Sequence, residues 1–105
     1  MAIVTSSFVN QDTIAHRVAD ATAKLPPDVV RIRYNLGQDW SGESAVFFRV
    51  LIKDSSGNMP RLSEVARDVR DTMYREVRPY ELGLQAYFNF RTESEQSLLK
   101  EEAWA

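Results

Sequence analysis

A chain of 105 residues, 44% of them hydrophobic, is long enough for one domain with a buried core. Its 13 basic and 15 acidic residues give a formal net charge of -2, whereas general binders of nucleic acid or anionic membranes carry a basic excess. The absence of cysteine excludes disulfides, thiol catalysis and zinc-thiolate sites. No apolar run approaches the roughly 20 residues of a membrane helix. The N-terminal stretch lacks the basic and apolar regions of a signal peptide, so we expect one cytoplasmic domain over residues 1–105.

The first predicted element is a helix over residues 11–25, where apolar residues recur at helical spacing. Asn10 or Asp12 is expected to cap its N terminus, and Phe8 or Val9 to pack against its first turn. Two prolines follow the helix and end it, because proline cannot continue the hydrogen-bond ladder.

Residues 29–36 and 44–54 alternate between apolar and polar side chains, which predicts two strands joined in a hairpin across the loop 37–43. In the first strand the alternation assigns Val30 to the apolar face and Val29 to the opposite face. Residues 61–77 have the strongest helical pattern in the chain.

A third strand is predicted over residues 84–91, and a last short helix over residues 92–102. Thr92 and Glu95 have the spacing of a capping box at the start of this helix. The order α-β-β-α-β-α makes the second and third strands parallel, with a right-handed crossover. We therefore expect a two-layer α+β fold with a three-stranded mixed sheet in the order 1-2-3. This is a ferredoxin-like layout that lacks the first strand and carries a short C-terminal helix.

Two helices cover one face of such a sheet, and the other face is predicted to be both basic and aromatic. Three interpretations remain open for this face: an interface with a second copy or a partner protein, a platform for single-stranded RNA, or a surface covered by the C-terminal segment. The predicted contact residues are Arg31, Arg33, Trp40, Phe47, Arg49, Tyr87, Asn89 and Arg91.

The hairpin loop places Trp40 among acidic residues and glycines. Asp39 and Glu43 make a weak signal for a cation site, and a turn role for Asp39 and Ser41 is the better interpretation. Trp40 is expected either to fold back on the sheet edge or to enter an interface. Trp104 is expected to be a second exposed anchor.

Sequence motifs for catalysis are absent. The single histidine, His16, is predicted to face solvent on the first helix. The chain has no glycine-rich phosphate loop, no nucleophile elbow and no paired histidines. We therefore expect no catalytic residues, no cofactor and no metal.

The runs "GQDWSGESAVFFRV" and "YFNFRTESEQ" resemble a family of small uncharacterised bacterial proteins. That resemblance implies a non-enzymatic, antitoxin-like partner of a small helical HEPN-type protein. The order of elements also resembles the C-terminal domain of cation diffusion facilitator transporters and an iron-sulfur assembly domain. The histidine-rich positions of the first, and the Asp-Pro-Glu and cysteine motifs of the second, have no counterpart here.

These observations predict a non-enzymatic interaction module that acts as a homodimer or with a small partner protein, without a membrane. The alternative functions are single-stranded RNA binding on the same face and the antitoxin-like role.

Overall fold

The computed structural model describes residues 11–104 of the chain. Within residues 11–104, three α-helices and three β-strands occur in the predicted order, together with three short 3-10 helices. The helices and strands are α1 (Gln11–Thr22), β1 (Val29–Gln38), β2 (Ser44–Ile52), α2 (Arg61–Val77), β3 (Gln85–Thr92) and α3 (Glu93–Leu99). The 3-10 helices are Asp54–Ser56, Pro79–Leu82 and Glu102–Trp104.

The three strands form one mixed sheet in the order β1-β2-β3, which confirms the predicted topology. β1 pairs with β2 in antiparallel orientation, and β2 pairs with β3 in parallel orientation across the α2 crossover. The register places Asn35, Phe47 and Tyr87 in one row across the sheet. The next row contains Arg33, Arg49 and Asn89.

The core lies between the sheet and the two long helices. α1 buries one stripe of side chains, α2 buries another, and β2 contributes the alternate residues that face them. Phe48 at the centre of β2 is fully buried and stacks on Phe88 of β3, with ring centroids 5.0 Å apart. The fully buried members of this cluster include Ile14, Val46, Phe48, Val50, Val65, Val69, Met73 and Val77.

The start of β1 differs from the predicted alternation. The pairing with β2 shifts register between Val29 and Arg31, so the strand carries an irregularity at this point. An extra residue in one strand rotates the side chains before it onto the other face. Val29 therefore packs against the core, whereas Val30, which the alternation assigned to the core, is 42% exposed.

Helix ends also differ from the sequence expectation. α1 ends at Thr22 rather than at residue 25, and two turn hydrogen bonds follow, from Lys24 N to Ala21 O and from Leu25 N to Thr22 O. Leu25 precedes a proline, and such residues avoid helical angles, so the helix stops early. The capping prediction for Asn10 and the packing of Phe8 or Val9 lie outside the described residues.

α2 has the predicted bounds, and the Thr92–Glu95 capping box at the start of α3 is present. The α3 helix is shorter than predicted, because Lys100 adopts a left-handed conformation with φ 51°. Within residues 11–104, no helix has the length and apolar character needed to cross a membrane.

Candidate interaction surface

The hairpin loop between β1 and β2 is held by a single carboxylate. Oδ1 of Asp39 accepts hydrogen bonds from the Ser41 backbone N–H at 2.9 Å, the Ser41 hydroxyl at 2.6 Å and the Glu43 backbone N–H at 3.0 Å. The backbone of the loop closes on itself through Asp39 N to Glu43 O at 2.9 Å. Gly42 has φ 85°, a conformation that glycine adopts without a steric penalty. Asp39 therefore has the turn role that the sequence predicts.

The same carboxylate ties the loop to the sheet. The Tyr87 hydroxyl on β3 donates a hydrogen bond to Asp39 Oδ2 at 2.7 Å. Hydrogen bonds from Ser41 and Tyr87 lower the pKa of Asp39 from 3.8 to about 2. The acceptor carboxylate in turn raises the pKa of Tyr87 from 10.0 to about 12. The two groups stabilise each other as a phenol and a carboxylate, and they fix the loop over the end of the sheet.

Three aromatic rings lie close together beside the Tyr87–Asp39 hydrogen bond. Phe47 stacks on Tyr87 with centroids 5.4 Å apart and an interplanar angle of 19°. Trp40 packs against Tyr87 at 5.4 Å with an angle of 58°, yet 85% of its surface remains exposed. Trp40 therefore packs against Tyr87, beside the Phe47–Tyr87 stack, and presents most of its ring to solvent.

Arginines lie in the row next to the aromatic rings. Arg33 and Asn89 are exposed at its two ends, and Arg49 is half-buried between them. Rows of one face repeat every two residues, or about 7 Å along the strands. Among residues 11–104, the Arg49 side chain has no hydrogen bond, ion pair or ring contact. We call the two rows and the loop tryptophan the open patch, which contains Arg33, Asn35, Trp40, Phe47, Arg49, Tyr87 and Asn89.

The C-terminal segment covers the remaining end of this face. Trp104 is only 7% exposed, so the expectation of a second exposed anchor is wrong. Its ring lies under the Arg91 guanidinium at 4.3 Å, and its carbonyl accepts a hydrogen bond from Arg31 Nη2 at 3.1 Å. Leu51, which lies between these two arginines in the sheet register, is buried to 5% exposure.

Arg91 organises the covering segment. Its guanidinium donates to Gln96 Oε1 at 3.0 Å and to Glu101 Oε1 at 3.1 Å. Gln96 in turn donates from Nε2 to the Glu101 carbonyl at 2.8 Å. The α3 helix and the residues after it are thereby fastened across one end of the sheet.

The structure thus divides the eight predicted contact residues into two groups. It brings Arg33, Trp40, Phe47, Arg49, Tyr87 and Asn89 together in the open patch. Arg31 and Arg91 lie instead beneath the C-terminal segment. Asn35 belongs to the aromatic row and was missed as a contact residue, although strict alternation along β1 places it on this face.

The histidine and acidic side chains of the described residues form no candidate metal site. His16 is exposed on α1, as predicted. Within residues 11–104 no three histidine, aspartate or glutamate side chains cluster as metal ligands. Comparisons with protein-family models, curated proteins and solved structures find no match for this chain.

Proposed function

We propose that this chain is a non-enzymatic, cytoplasmic interaction module that binds a second copy of itself or a small partner protein through the open patch. The observation that carries the proposal is Trp40, which is 85% exposed yet held by a hydrogen-bonded turn and by Tyr87. Tryptophan, tyrosine and arginine are the residues that dominate binding energy at protein interfaces.

The rigidity of the loop supports this role. Association costs free energy when side chains and loops become ordered on binding. Asp39 accepts four hydrogen bonds that fix the turn and its contact with β3 before any partner arrives. A preorganised aromatic anchor reduces that cost and favours binding.

The test compares Trp40→Ala and Phe47→Ala with the wild-type chain. Light scattering after size exclusion measures self-association, and affinity capture from a cell extract measures a partner. We expect both variants to lose the wild-type association while circular dichroism shows an intact fold. Tyr80→Ala is the matched control, since Tyr80 is an aromatic residue 68% exposed in the 3-10 helix after α2. Association that survives both substitutions would refute the proposal.

A second candidate function is binding of single-stranded RNA on the same patch. The observation in its favour is the stacked Phe47–Tyr87 pair beside Arg49, since bases stack on aromatic rings while arginines contact phosphates. Fluorescence anisotropy with a labelled oligouridylate at two salt concentrations tests it. If RNA is the ligand, Arg49→Ala should weaken binding and flatten its salt dependence.

A further inference from the structure

The C-terminal segment provides an example of what this sheet face binds. It is a short acidic stretch, Glu101-Glu102-Ala103-Trp104, that follows α3 and lies on the sheet. Its tryptophan is buried under Arg91, and its Glu101 carboxylate pairs with the same arginine. Arg91 is therefore contacted by one aromatic ring and one carboxylate of this segment, besides its hydrogen bond to Gln96 on α3.

The open patch offers the same chemistry one row further along the strands. The stacked rings of Phe47 and Tyr87 form an apolar surface, and the Trp40 ring packs beside them against Tyr87. Arg49 lies in the row adjacent to this aromatic pair, and an arginine guanidinium forms strong charge-assisted hydrogen bonds with carboxylates. No acidic side chain among residues 11–104 pairs with Arg49.

Charge decides between the kinds of protein surface that fit this patch. Two copies apposed through the open patch would bring two Arg49 side chains to the same interface, and like charges at an interface are unfavourable. A partner segment with carboxylates next to an apolar or aromatic residue can contact both rows: the apolar residue packs on Phe47 and Tyr87, and a carboxylate pairs with Arg49. The C-terminal segment already does this at the other end of the face.

We infer that the open patch binds a short acidic peptide segment of a partner protein, with one aromatic residue placed between carboxylates. This inference rests on the proposed function, because it names the partner chemistry of the same surface. The aromatic residue packs on Phe47 and Trp40, and a flanking carboxylate accepts hydrogen bonds from Arg49.

The experiment uses the full chain and fluorescently labelled synthetic decamers in an anisotropy titration. The probe carries one tryptophan flanked by glutamates, and two matched peptides replace the glutamates by glutamines or the tryptophan by alanine. We expect each replacement to weaken binding about tenfold, because a hydrogen bond to a charged group and a buried aromatic ring each contribute on the order of 1.4 kcal/mol or more. These peptide changes need no altered protein, so they remain informative if a variant fails to fold.

Protein variants then locate the site. Arg49→Gln should weaken the acidic probe about tenfold and leave the glutamine peptide unchanged. Arg75→Gln is the matched control, because Arg75 is an exposed arginine on α2 away from this face, and it should leave the affinity unchanged. An affinity for the acidic probe that is unchanged in Arg49→Gln would overturn the inference, since the probe would then occupy another surface, such as the end covered by Trp104.

The remaining outcomes separate this inference from the proposed function. Equal binding of the acidic and glutamine peptides, abolished by Phe47→Ala, would overturn the acidic chemistry and keep the docking role. Binding of oligouridylate but of no peptide would overturn both in favour of nucleic acid. A concentration-dependent dimer that is lost in Trp40→Ala, with no peptide binding, would overturn the inference and keep self-association as the function.

Discussion

Asp39 is the residue on which the geometry of the open patch depends. Its two carboxylate oxygens accept hydrogen bonds from the loop backbone, from Ser41 and from Tyr87. The sequence alone indicates a turn role, because aspartate commonly accepts hydrogen bonds from the backbone two residues on. The contact with Tyr87 was not predictable from local pattern, since it joins residues 48 positions apart through the sheet register.

The first prediction concerns the ionisation of Tyr87. Its pKa of about 12 lies above the ordinary value of 10.0, because the phenol donates to the Asp39 carboxylate. The neutral phenol therefore stabilises the fold fully below pH 10, and this contribution is lost as the pH rises from 10 towards 12. In an ultraviolet titration of the native protein, one of the four tyrosines should ionise in a late step, at a higher pH than an ordinary tyrosine.

Asp39→Ala removes the acceptor, so the late step should move down towards pH 10. Tyr80→Phe is the control: it should remove one tyrosine from the titration and leave the late step in place. A late step that persists in Asp39→Ala, or that survives in Tyr87→Phe, would contradict this assignment.

Asp28 has a comparable role at the opposite end of the sheet. Its carboxylate accepts hydrogen bonds from the Ser56 hydroxyl and from Arg61, which join the start of β1 to the start of α2. The Arg61 hydrogen bond is the main cause that lowers the pKa of Asp28 from 3.8 to about 2. A carboxyl whose pKa is lower in the folded than in the unfolded protein stabilises the fold when the pH lies above the unfolded-state pKa. This contribution disappears as the pH falls from 3.8 towards 2.

The second prediction follows from this arrangement. Asp28→Asn should lower the free energy of unfolding at neutral pH by about 2 kcal/mol, the order expected when charge-assisted hydrogen bonds are lost. The loss should shrink when urea unfolding is repeated at decreasing pH below 4. Asp20→Asn, at an exposed position on α1, is the matched control and should change stability little at any pH. An equal effect of both substitutions would contradict the role of Asp28.

At the scale of elements, the sequence predicts those parts that depend on neighbouring residues in the chain. The helical pattern of apolar residues over 61–77 predicts both ends of α2 correctly, and the spacing of Thr92 and Glu95 predicts where α3 starts. The start of β1 was assigned wrongly, because a register irregularity at Val29 and Val30 is set by pairing with β2. A strict two-residue alternation contains no signal for such an irregularity.

The third prediction tests the capping box. The Thr92 hydroxyl accepts the Glu95 backbone N–H at 3.2 Å, and the Glu95 carboxylate accepts the Thr92 backbone N–H at 3.0 Å. Thr92→Ala should lower the free energy of unfolding by about 1 kcal/mol, the usual cost of losing an N-cap side chain. Thr92→Ser keeps the hydroxyl and should retain most of the stability in urea denaturation. Equal losses in the two variants would show that the Thr92 methyl group matters and that the cap does not.

At the scale of the whole molecule, one sheet face serves two purposes. One end is closed by the chain's own C-terminal segment, and the other end presents the open patch. The sequence predicts the composition of this face, since it follows from strand alternation. It does not predict which end is covered, because that depends on where α3 directs the last residues, a tertiary property.

The two tryptophans report these two ends separately, which gives the last prediction. Trp40 is 85% exposed and Trp104 is 7% exposed, so acrylamide should quench the emission in two distinct components. Trp40→Phe should remove the accessible component and leave stability nearly unchanged. Truncation after Leu99 removes Trp104 and uncovers Leu51, so it should abolish the protected component and lower the free energy of unfolding by about 2 kcal/mol, the order of burying one large apolar side chain. A single quenching component in the wild-type chain, or a truncated chain of unchanged stability, would mean that the C-terminal segment does not cover this face in solution.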